Sequence, residues 1–175
     1  MGNALSAAQR QTERFIDFIG QLTLWLTLGM ILLVATNVLL RYAFSFGSVW
    51  AQELEWHLLA AIILLGMSYS LQRSEPVRVD VFYASYGPRM KFAVDLFALL
   101  LQLGLAVLFI QLSWGYVMQS YAINETSADP GGIPYRWAVK GLIPLGFGLV
   151  LLQTLAALLR LVLQEEARRA GAAHA

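Results

Sequence analysis

FIGQLTLWLTLGMILLVATNVLL, residues 18–40, runs for 23 residues without a charged side chain. A helix rises about 1.5 Å per residue, so such a run crosses a hydrocarbon core about 30 Å thick. Residues 24–40 offer only Thr27, Thr36 and Asn37 as polar groups. A soluble amphipathic helix needs a whole polar face, and none is present. Three further charge-free runs occur, at 58–72, 96–124 and 141–159. The chain therefore reads as an all-α integral membrane protein. Its four transmembrane helices fall at about 15–42, 54–73, 89–121 and 135–163, in a single membrane domain over 1–175.

Composition agrees. Hydrophobic residues make up 58% of the chain and charged ones 13%, about half the charged share of a typical soluble domain. Cysteine is absent, which excludes disulfides and thiolate metal sites. The basic residues are unevenly placed. Arg10 and Arg14 precede span one; Arg73, Arg78, Arg89 and Lys91 lie between spans two and three; Arg160, Arg168 and Arg169 come after span four. Only Arg41, Arg136 and Lys140 occupy the other two connections. The positive-inside rule then puts both termini in the cytoplasm and the 1–2 and 3–4 connections outside. The first run is too long for a signal h-region, so it reads as a retained anchor.

Local signals set the helix ends. Ser6 is a possible first cap, and the turn Ser45-Phe46-Gly47-Ser48 interrupts the chain, with Ser48 placed to cap the next helix. Residues 48–56 read as a short amphipathic interfacial helix before span two, with Trp50 and Trp56 at the membrane–water boundary. Residues 77–81 alternate like a strand but read as a turn or short surface helix, because a lone strand has no partner there. Pro88 sits at a first helical position. Pro134 is expected to open span four, Pro144 to kink it, and Gly146 and Gly148 to permit close helix contact. Residues 165–175 form a polar tail expected to fray.

Enzyme chemistry finds little support. His57 and His174 cannot share a membrane-core metal or haem site, and no phosphate loop or nucleophile motif occurs. No cofactor, metal or nucleic-acid partner is expected. The spans hold scattered Thr, Ser, Asn, Gln and Tyr but no ionisable residue at mid-depth, unlike most ion paths. Asn37, Gln102 and Gln111 are the candidates for interhelical hydrogen bonds. Charge gathers instead at the outer boundary. Arg41 closes span one, and Glu53 and Glu55 come twelve and fourteen residues later. A hairpin could join them into a structural lock flanked by Tyr42 and Trp50. A membrane anchor for a redox enzyme, permitted by four spans and His57, is the alternative reading; a self-sufficient small carrier is a third.

Three stretches carry a resemblance. They are Asn37-Val38-Leu39-Leu40-Arg41-Tyr42-Ala43-Phe44 with Trp50-Ala51-Gln52-Glu53, then Val77-Arg78-Val79-Asp80-Val81, and last Glu125-Thr126-Ser127 through Pro130-Gly131-Gly132-Ile133-Pro134 to Arg136, Trp137 and Lys140. In this order they resemble the small membrane subunit (DctQ-type) of the tripartite ATP-independent periplasmic, or TRAP, transporters. The resemblance implies a multi-pass, non-catalytic scaffold in the bacterial inner membrane, part of a sodium-coupled, binding-protein-dependent importer of an organic acid. Its implied partners are a large elevator-type membrane subunit, a periplasmic substrate-binding protein and membrane lipids. It gives Arg41, Tyr42, Trp50, Glu53 and Glu55 an interface role. The loop carrying Glu125, Asp129, Arg136 and Lys140 would face the binding protein.

Overall fold

In a computed structural model, which describes residues 2–73 and 83–173 and the side chains of 9–73 and 83–168, four long helices account for most of the described residues. They are α1 (Gly2–Phe44), α2 (Val49–Arg73), α3 (Pro88–Ala122) and α4 (Arg136–Ala173). All four are long and apolar enough to cross a membrane. No strand occurs among the described residues. The segment 77–81 lies outside them.

Each helix ends for a local reason. At the end of α1, Ser45 adopts a left-handed φ of 52° and the Phe46 N–H returns to the Leu40 carbonyl at 3.2 Å. Ser48 then caps α2, its Oγ accepting from the Ala51 N–H at 3.3 Å. Gly87 is the N-cap of α3, and Pro88 fills the first turn, where its missing N–H leaves nothing unpaired. The same helix closes in a Schellman motif around Asn124, which takes a left-handed φ of 48°. There the Glu125 N–H reaches the Ser120 carbonyl and the Asn124 N–H reaches Tyr121.

Several boundaries differ from expectation. Residues 49–56 are the first turns of a continuous α2, not a separate surface helix, because nothing after Ser48 breaks the pattern. The first helix starts at Gly2, ahead of Ser6. Pro134 lies two residues outside α4, and Tyr135, at φ 64°, intervenes. The tail stays helical to Ala173, since Gln, Glu, Ala and Arg are strong helix formers. Pro144 is carried inside α4 without interrupting it.

The packing is centred on α4, which touches all three other helices. Its most apolar window is 33% buried, against 6–11% in the other three. A Cβ added at Gly146 would lie 2.6 Å from the Leu64 carbonyl oxygen, so α2 and α4 approach backbone to backbone there. Gly148 has open space instead. Between α1 and α2, the Tyr69 ring fills the place of a side chain at Gly20. Helix α3 packs chiefly on α4, where Gln102 donates to Thr154 Oγ1 at 2.9 Å and Phe109 stacks on Phe147.

Candidate functional site

Glu53 and Glu55 lie one turn inside α2. Two residues on a helix are about 200° apart, so the two carboxylates face different neighbours. Glu55 points to α1 and accepts from Asn37 Nδ2 at 2.9 Å. Glu53 points to the loop before α4. Its Oε2 accepts from the Ile133 N–H at 2.5 Å, and its Oε1 from the Ser127 hydroxyl. Arg136 Nη2 stands 3.6 Å from Oε1. One carboxylate thus gathers three donors from the loop and the first residue of α4.

The loop is shaped to deliver them. Asp129-Pro130-Gly131-Gly132 turns with Gly131 at φ 80° and a Gly132 N–H to Asp129 carbonyl bond of 3.0 Å. Pro at the second position and Gly in the left-handed third suit a type II turn. The Asp129 N–H also binds Ser127 Oγ at 3.1 Å, which orients the hydroxyl toward Glu53. A Cβ on Gly132 would collide with Ser127 and come within 2.7 Å of Glu53 Oε2.

A second pair closes the base of the loop. Lys140 Nζ meets Glu125 Oε2 at 2.5 Å and lies 4.0 Å above the Tyr116 ring centroid. The Arg136 N–H donates to the Glu125 carbonyl at 3.0 Å. The ammonium of Lys140 holds the Glu125 carboxyl below its ordinary range. His57 Nδ1 lies 2.7 Å from the Glu53 carbonyl. A carbonyl only accepts, so this nitrogen carries the proton.

Of the residues singled out in sequence, Glu53, Glu125, Arg136 and Lys140 converge, joined by Ser127, Ile133 and Tyr116. Arg41 does not join them. It makes no ion pair with Glu53 or Glu55 among the described residues; its Nε lies over Gly47 in the turn. The expected Arg41–Glu53–Glu55 triad therefore does not form, because Asn37 occupies Glu55 and the loop occupies Glu53. Tyr42 is 84% exposed and Trp50 half exposed. Asp129 serves through its backbone, with its side chain in the open. Asn37 and Gln102 bond between helices, whereas Gln111 stands exposed on α3.

The cluster has the chemistry of a fastening. Its carboxylates are saturated by cations and N–H donors, and no group of three His, Cys, Asp or Glu able to hold a metal occurs among the described residues. A family model described as "Tripartite ATP-independent periplasmic transporters, DctQ component" matches residues 30–164. The chain is also 30% identical over 104 residues to the C4-dicarboxylate TRAP transporter small permease protein DctQ of Vibrio cholerae serotype O1. That match covers 59% of this chain and 45% of the relative. The redox-anchor reading gains no support from either.

Proposed function

The chain belongs to the DctQ family as a small membrane subunit of a TRAP transporter, and on that premise we propose that it is a non-catalytic scaffold. It braces a large elevator-type membrane subunit in a sodium-coupled importer of an organic acid, in the inner membrane. Its termini face the cytoplasm, and the clasped loop faces the periplasm and the substrate-binding protein. The observation that supports this most is where the charges lie. The ion pairs Asp17–Arg73, Glu53–Arg136, Glu125–Lys140 and Glu165–Arg168 all lie outside the four charge-free runs, while the buried polar groups within those runs (Ser68, Ser113, Gln153, Thr154) are uncharged. A coupled carrier places ionisable groups at mid-depth to hold its ions.

Reconstitution tests this reading. Liposomes with this chain alone are expected to take up no labelled succinate under a sodium gradient. Succinate is the first choice because of the relative's name. Adding a large subunit and a substrate-binding protein from the same organism should give uptake that stops when this chain is left out. Uptake by this chain alone, or full uptake without it, would sink the proposal.

A further inference from the structure

Gln72 Oε1 on α2 and Gln153 Oε1 on α4 are buried, and no donor among the described residues reaches either oxygen. Gln153 as a whole is only 9% exposed. A buried carbonyl oxygen without a donor is a costly group, and native interiors almost always supply one.

Helix phase and register put the two amides on one seam. Helices α2 and α4 run in the same direction, with Glu53 beside Arg136 and Leu64 against Gly146. Gln153 follows Gly146 by seven residues, about 700° of turn, so it points within about 20° of the same way, toward α2. Seven residues beyond Leu64 is the level of Leu71 and Gln72. Gln72 Nε2 is spent on α1, donating to the Glu13 carbonyl and to Asp17 Oδ1, both at 3.2 Å. Its Oε1, on the other edge of the same planar amide, turns away from α1, and the other principal neighbour of α2 is α4. Ser68, fully buried one turn earlier, adds a third polar side chain beside the seam.

Both oxygens are acceptors, so whatever joins them has to donate twice. Lipid tails donate nothing. A metal cation is poorly matched, because the amides are neutral and the nearby Asp17 carboxylate is already held by Arg73 and Gln72. Water carries two protons and suits a polar site inside a bundle. Its source is close: the Asp17 and Arg73 side chains beside Gln72 are 37% and 61% exposed. We propose that an ordered water bridges Gln72 Oε1 and Gln153 Oε1. It completes a chain of hydrogen bonds from Arg73 through Asp17 and Gln72 to Gln153, and ties α4 to the α1–α2 hairpin at the end opposite the Glu53 cluster. This site stands independently of the scaffold role.

NMR of the unaltered protein, labelled with 15N-glutamine and held in lipid nanodiscs, tests the water directly. Cross-relaxation from water to the Gln153 side-chain amide should be at least about threefold stronger than to that of Gln102. Gln102 is the control because it bonds Thr154 directly, at the same level of the bundle. A Gln153 signal no stronger than that of Gln102 overturns the proposal. A double-mutant cycle tests the bridge. Gln153→Leu should lower the melting temperature by about 3 °C in the unaltered chain but by less than about 1 °C in a Gln72→Leu background, where the water has already lost one acceptor. Equal losses in the two backgrounds would separate the two amides and overturn the bridge. Coupling without the water signal would mean a direct amide–amide bond, and that also overturns it.

Discussion

At the loop-bearing end, Glu53 is shared by the Ser127 hydroxyl, the Ile133 N–H and Arg136, and only 11% of its side chain is exposed. At the opposite end, Asp17 pairs with Arg73 at 2.9 Å, and the two side chains are 37% and 61% exposed. Gln72 adds bonds of 3.2 Å to Asp17 and to the Glu13 carbonyl. Both ends therefore join helices through a carboxylate. The first ties the connection between α3 and α4 to a helix from another hairpin, with a main-chain donor that cannot rotate away. The second joins a long, flexible arginine to an aspartate of the same hairpin, at an exposed site. Rigid donors and partial burial separate a fastening from a surface pair.

The largest expected effect is therefore from Glu53→Ala, which leaves three donors without their acceptor. The melting temperature in detergent should fall by upward of about 5 °C, with faster proteolysis within 125–136. An intact, protected loop in that variant would erase the contrast. Lys140→Met comes next. It removes the cation held between Glu125 and the Tyr116 ring, and about 3–5 °C should be lost in the same melting series.

Acid offers a graded version of the same break. The Glu125 carboxyl is held below its ordinary value of about 4.5, first by the hydrogen bond from Lys140. The unfolded chain then binds the proton more readily. The resulting stability is present above about pH 4.5 and is lost as pH falls through the lowered value. Thermal melts between pH 6 and pH 3 should show the decline, and Lys140→Met should flatten it. The smallest effect is expected from Arg73→Ala, a change below about 2 °C in the same assay. A loss equal to that of Glu53→Ala would show that both ends are fastened alike.

The four spans are legible in the sequence because charge-free runs of this length have few other uses. The loop-end cluster is only half legible. Glu53, Glu125, Arg136 and Lys140 stand out as charges near a membrane boundary, but their pairing depends on helix phase. The two-residue spacing of Glu53 and Glu55 already rules out a common partner on one face, so Arg41 could not have served both. Ser127 carries a weak signal in the turn-rich loop. The Ile133 N–H carries none, since a main-chain donor looks the same at every residue. Where α4 ends is obscured for another reason: polar side chains mark the limit of the membrane but not of the helix, and residues 165–173 have high helix propensity.

The brevity of α2 has a consequence for the bilayer. Between Glu55 and Arg73 it offers about 17 uncharged residues, roughly 26 Å of helix, beside a hydrocarbon core of about 30 Å. Tilting shortens its reach further, and the mismatch is met by thinning of the lipid along that edge and by the terminal Arg73 reaching out to the headgroups. The two leaflets are therefore expected to lie closer together along the exposed side of α2 than along the three longer helices.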